Sequence, residues 1–151
     1  MTDFDLMRRQ AEALSEESAH WVPLMANVSA LIYEAMPDLN WAGFYIVKEG
    51  ALILGPFQGK AACVRIEKGR GVCGTAWEQD AVQLVPDVHA FPGHIACDSA
   101  SNSEIVVPMH ADGKVAAVLD IDSPLLNRFS EEDRDGLVKL VRSMEKVLIW
   151  E

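Results

Sequence analysis

Three acidic residues and three cysteines carry most of the chemistry this sequence could perform. Asp120 and Asp122 lie two apart in a run of strand-like alternation, residues 114–122. Both carboxylates therefore point to one face of a sheet, while Leu119 and Ile121 point to the other. Two carboxylates side by side repel, and the arrangement is costly unless a cation or a shared proton lies between them. Glu104 opens the preceding strand-like run, residues 104–109, and hairpin pairing would carry its carboxylate to the same face. Three converging acids would suit the ammonium group of a ligand. The alternatives are a solvated sheet face for the pair, an ordinary exposed acid for Glu104, or a hard cation held by carboxylates.

Trp41 and Tyr45 are four apart in another strand-like run and share a face, with Gly43 between them. The missing side chain at Gly43 would leave a slot between two aromatic walls, open to an apolar or a cationic group. Core packing is the competing use of the same pattern. Of the cysteines, Cys73 in Gly-Val-Cys-Gly-Thr fits a small buried hydrophobe. Cys97 does not, because it follows His94 by three residues, precedes Asp98 and falls in an irregular stretch. A thiol so placed is the kind that reacts, and Cys63 is a candidate partner to resolve it. His89, His94 and Cys97 match no recognised zinc spacing. No P-loop occurs. The string from Gly69 to Gly74 spells G-x-G-x-x-G without the strand-to-helix context of a dinucleotide site.

The elements that must position these residues follow from periodicity and turn signals. Helices are predicted over 5–18 and 23–34, the second with Pro23 in its first turn and Pro37 just past its end. Strands are predicted over 41–47, 51–57, 62–66 and 82–85, with a short helix over 72–78 among the glycines. Residues 86–102 show no period of either kind. Residues 104–109 and 114–122 read as a hairpin across Ala111-Asp112-Gly113. Ser130 with Asp133 starts the last helix, whose stripe is Leu137, Leu140, Val141, Met144, Val147 and Leu148. Strands clustered between terminal helices argue for an α+β fold, a mostly antiparallel sheet with the helices on one face.

The 151 residues suit one domain. Half are hydrophobic, enough for one core. With 13 basic and 23 acidic residues the net charge is −10, which opposes nucleic acid and anionic membrane surfaces as partners. No apolar run has a membrane span's length, and the N-terminus lacks the order of a signal peptide. The cysteine number is odd, so free thiols of a cytoplasmic protein are the default.

Five segments then become specific when read in order. They are NWAGFY (40–45), LGPFQGKAACVRI (54–66), GRGVCGTAW (69–77), DVHAFPGHIACDSASNSEIVVP (87–108) and LDIDS (119–123). Together they resemble the free methionine-(R)-sulfoxide reductases, a family built on a single GAF domain. The resemblance runs from around Val22 onward, and the N-terminal helix within 1–20 carries little of it. It implies one GAF domain over 1–151, with a mostly antiparallel central sheet flanked by N- and C-terminal helices.

It further implies thioredoxin-dependent reduction of free L-methionine-(R)-sulfoxide, through a cysteine sulfenic acid and an intramolecular disulfide. By this resemblance Cys97 is the nucleophile, Cys63 the resolving cysteine and Cys73 an auxiliary thiol. Glu104, Asp120 and Asp122 match the acidic pocket, Glu104 and Asp122 in the catalytic set as well, and Trp41 and Tyr45 match the walls around the methyl-sulfoxide end. No cofactor and no metal are implied, and a cytoplasmic homodimer is expected. The competing functions are a GAF module that senses a small molecule, or one that senses redox state, without turnover. A sensor commonly carries an output domain, for which 151 residues leave no room.

Overall fold

Two tight turns build the middle of the molecule. In the computed structural model, which describes residues 1–94 and 99–151, Lys48 pairs with Ala51 across Glu49-Gly50, and Ala111 with Lys114 across Asp112-Gly113. All four turn residues have positive φ, +54° and +79° in the first and +54° and +76° in the second. That is the mirror-image turn that matches the twist of antiparallel strands, and a glycine in second place adopts it without a Cβ clash.

The turns join β1 (Trp41–Lys48) to β2 (Ala51–Gly59) and β5 (Ser103–Ala111) to β6 (Lys114–Ser123). β3 (Arg65–Glu67) and β4 (Gln83–Val85) complete a six-stranded sheet of order β3-β2-β1-β6-β5-β4. Every described pairing in it is antiparallel. The helices are α1 (Phe4–Glu17), α2 (Trp21–Ala35), α3 (Gly71–Gln79) and α4 (Glu131–Glu145), and a single 3-10 turn covers Val88–Ala90.

Strand alternation divides the sheet into two faces. One presents Ala42, Phe44, Ile105, Val107, Met109, Leu119 and Ile121 to Met7, Ala11, Leu24, Met25, Val28, Ile32, Leu137, Leu140, Val141 and Met144 from α1, α2 and α4. The other presents Trp41, Tyr45, Val106 and Val118 to Val72, Cys73 and Ala76 of α3 and to Val88. The expectation of helices on one face is therefore corrected: α3 packs against β5 and β6 on the second face, so the sheet is covered on both sides. No helix of the described residues is long and apolar enough to cross a membrane.

Other boundaries shift for local reasons. The third strand starts at Arg65 rather than residue 62, because residues 61–63 carry no regular structure and Val64 only offers its carbonyl to Leu54. The last helix starts as predicted, with Ser130 Oγ accepting from Asp133 N at 3.1 Å and Asp133 Oδ2 accepting from Ser130 N at 3.0 Å. It stops at Glu145, so Val147 and Leu148 fall outside it and Val147 is exposed. The 14-residue first helix is capped by Asp3, whose carboxylate accepts from Leu6 N.

Candidate functional site

The antiparallel register sets the site. Glu104 of β5 pairs with Asp122 of β6, and Asp122 pairs on its other side with Trp41 of β1. Two residues further, Val106 pairs with Asp120 and Asp120 with Gly43, and Tyr45 pairs with Val118. Alternation then puts Glu104, Asp120, Asp122, Trp41 and Tyr45 on one face, the face under α3. They line a cleft of about 550 Å³, counting the space at its mouth. Its other walls among the described residues include Ile66, Arg70, Gly71, Cys73, His94 and Ser101.

The acids are not on a solvated surface. Glu104 is 7 % exposed and Asp120 6 %. Burial, with the charges of Asp120 and Asp122 added, pushes the Glu104 carboxyl well above the usual carboxylate range. Burial also raises Asp120, but hydrogen bonds from Glu104 and Cys73 work in the opposite direction. Burial thus works against charge on both carboxyls, while the hydrogen bonds between them favour the charge on Asp120 and the proton on Glu104. Asp120 Oδ1 is buried and has no hydrogen-bond partner among the described residues. Such an oxygen is costly to leave alone and is a place for a donor from a ligand. Cys73 Sγ and an oxygen each of Glu104 and Asp120 lie within 4.8 Å of one another, the set that could hold a metal ion.

The aromatic pair differs from its expected geometry. Trp41 and Tyr45 lie with ring centroids 5.9 Å apart and planes at 26°, and Phe57 stacks on Trp41 at 5.1 Å. No group fits between rings so close, so the pair forms one continuous wall rather than two sides of a slot. The role of Gly43 is different as well. A Cβ there would lie 2.2 Å from Phe57 Cβ, at the bulge where β1 and β2 change register. Both rings spend their polar atoms on the loop before β3. Trp41 Nε1 donates to the carbonyl of Lys60 at 3.0 Å, and the Tyr45 hydroxyl donates to the carbonyl of Cys63 at 2.8 Å. Burial, with the charges of Asp120, Cys73, Asp122 and Glu104 added, pushes the Tyr45 phenol far up, so it stays a donor.

Cys63 is therefore tethered to the wall of the cleft. It is in a disulfide, against the default of free thiols, whereas Cys73 is free and buried. Cys97, to which the resemblance assigned the attack, lies outside the described residues, as do its neighbours in 95–98. Before that segment, His89 and His94 meet edge to face at 6.1 Å. Burial, then the charge of His89, lowers the pKa of His94.

Sequence reasoning missed how much α3 gives to the cleft. Gly71, Val72 and Cys73 all line it. The signal was the glycine string itself. A Cβ at Gly74 would meet the carbonyl of Glu67 at 2.5 Å, so the glycines let the first turn of α3 close on the chain before it. Small residues there buy close approach, not a phosphate cradle.

Comparison with known proteins identifies the family and the fold. Residues 22–148 match the family described as GAF domain. The chain is 54 % identical over 142 residues to the free methionine-R-sulfoxide reductase of Escherichia coli, covering 94 % of this chain and 86 % of that one. It is 46 % identical to the enzyme of the same name from Saccharomyces cerevisiae, covering 92 % and 82 %. The fold superposes with a TM-score of 0.93 on fRMsr of Staphylococcus aureus in complex with substrate, at 46 % identity and covering 99 % of this chain and 97 % of that one.

Proposed function

This chain belongs to the GAF-domain free methionine-R-sulfoxide reductases, and we propose that it reduces free L-methionine-(R)-sulfoxide to methionine with thioredoxin as the reductant. The observation that carries the reading is the convergence of Glu104, Asp120 and Asp122 on one buried cleft beside the Trp41–Tyr45 wall. A zwitterionic amino acid brings an ammonium that relieves this crowding. A peptide-bound residue has none, and would leave the acids unpaired.

In this reading the methyl-sulfoxide end rests on the aromatic wall. Glu104, the acid that burial and its neighbours keep protonated, gives a hydrogen bond and then its proton to the sulfoxide oxygen. Asp120 and Asp122 receive the ammonium. The thiolate of Cys97 attacks the sulfoxide sulfur. The net step oxidises Cys97 to a sulfenic acid and reduces the sulfoxide to the thioether, so the oxygen and two electrons are accounted for. The Cys63 thiol then condenses with the sulfenic acid, releasing water and leaving a disulfide. The dithiol of thioredoxin reduces that disulfide by exchange. The disulfide at Cys63 and the free state of Cys73 support giving the resolving part to Cys63.

Residues 1–151 act as one domain in this reading. α1, outside the matched stretch, joins the same core through Met7 and Ala11. The expected setting is the cytoplasm, where thioredoxin recycles thiols, with exposed Leu125 and Leu126 offering apolar surface to a second copy in a homodimer.

The test is NADPH consumption coupled through thioredoxin reductase and thioredoxin, with free R-sulfoxide, free S-sulfoxide and a peptide-bound R-sulfoxide offered in parallel. Turnover of the free R form alone, lost in Cys97→Ser with the fold intact, is the expected result. A folded, reduced protein that turns over none of the three would sink the proposal.

A further inference from the structure

Cys73 has no step in the reaction above, yet it is the thiol buried among the acids. It is 4 % exposed, and its sulfur lies within 4.8 Å of oxygens of both Glu104 and Asp120. We propose that Cys73 is a positioning residue: its S–H donates a hydrogen bond to the Asp120 side chain and so keeps Asp120 the ionised member of the acid set that receives the ligand's ammonium.

The geometry gives the thiol little else to do. α3 enters the cleft by its first turn, drawn close by Gly74, and Cys73 is the residue of that turn whose side chain reaches the acids. The groups facing it are Glu104 from β5, Asp120 and Asp122 from β6 and Tyr45 from β1, with Arg70 and His94 at the cleft wall. Among the described residues the charges that act on the thiol are those of the acids, and none of them stabilises a thiolate. Burial first, and then Asp120 and Glu104, push the thiol up, which keeps its proton in place as a donor. A hydrogen bond to a carboxylate favours its charged form. In the ligand-free cleft Glu104 supplies a second such bond to Asp120, and Oδ1 of Asp120 is left without a partner among the described residues. Once the Glu104 proton turns to the sulfoxide oxygen, the thiol is the donor that stays on Asp120, and Oδ1 receives the ligand.

The inference rests on the substrate reading above, and its test separates the two. Binding of free L-methionine-(R)-sulfoxide is measured by calorimetry between pH 5 and 8 in a Cys97→Ser chain, where no turnover occurs. Adding Cys73→Ala removes the donor, and Cys73→Ser keeps a hydroxyl in its place. Cys73→Val serves as a second donorless variant should the alanine chain fail to fold. The expected result is that Cys73→Ala weakens binding about five-fold at pH 6. The pH below which binding fades moves upward, and Cys73→Ser restores both. A ligand-free check is the NMR titration of the Asp120 carboxyl, which should move upward in Cys73→Ala and return in Cys73→Ser. Serine and alanine behaving alike in binding and in titration overturns the inference and leaves the substrate reading standing. A Cys97→Ser chain that binds no free R-sulfoxide at any pH removes both.

Discussion

The two faces of the sheet are both covered, but for opposite ends. Along β6, Leu119 and Ile121 are fully covered by the terminal helices, and Asp120 between them is 6 % exposed on the other side. Beneath α1, α2 and α4 the buried strand residues are apolar except Ser103 and Ser123 at the strand ends, whose hydroxyls donate to the carbonyls of Leu125 and Asp38, and burial there removes hydrocarbon from water. Beneath α3, burial desolvates the carboxyl groups of Glu104 and Asp120 beside a half-buried Asp122, which works against the folded state. The first face thus stabilises a strained arrangement that the second keeps ready for a ligand. Such a division is the expected form of a trade between stability and activity.

Substitutions can break this comparison from either side. The largest effect is expected from Glu104→Gln, which keeps the shape but cannot yield a proton; kcat/KM for the free sulfoxide should fall about a hundred-fold or more in the coupled assay. Next comes Leu119→Ala on the opposite face, which should cost about 2–5 kcal/mol in urea unfolding while leaving the activity per folded molecule close to that of the parent. If Leu119→Ala damaged turnover as much as Glu104→Gln, the faces would not be separate in function.

The stability of Glu104→Gln sharpens the contrast further. Glu104 is raised in the folded state, so its favourable contribution is complete below its ordinary value of 4.5 and is lost as pH rises toward its folded value. Glutamine removes that loss. The variant should match the parent near pH 4 and exceed it by about 1–3 kcal/mol at pH 8 in the same unfolding series. A variant less stable than its parent at pH 8 would contradict the idea that this face is strained.

The smallest effect is expected at His110, which belongs to neither face. Its Nδ1 lies 2.8 Å from Glu145 and its Nε2 2.6 Å from Asp80, tying the end of β5 to α4 and to the end of α3. Partial burial pulls its pKa down, but the two carboxylates outweigh this and the net direction is upward. Its contribution is complete below 6.5 and is lost as pH rises through the folded value. His110→Ala should cost about 1 kcal/mol at pH 6, discounted for the partly exposed ring, and less at pH 9.

Much of the site was legible because strands obey a period of two. Asp120, Asp122, Trp41 and Tyr45 needed only that rule, and Glu104 needed the Asp112-Gly113 turn to set the register. What was not legible depends on contacts between distant segments. α3 is nine residues long with two glycines, too short and too small in its side chains to declare which face it covers. The wall formed by Trp41, Tyr45 and Phe57 was hidden for a similar reason, since the bulge at Gly43 brings β2 across from it. The strand expected from residue 62 was displaced because the chain there is held by side chains of β1 instead of a ladder.

One consequence of the strand order concerns how copies of this protein meet in solution. The long strands lie in the interior of the sheet, and the two outermost, β3 and β4, have three residues each. The stretch of β2 that runs on past β3 contains Pro56, which has no N–H to offer, and its carbonyl already takes a bond from Ser29 Oγ. Among the described residues the edge strands thus offer a neighbouring chain only short stretches of backbone on which to extend the sheet, the route by which β proteins polymerise.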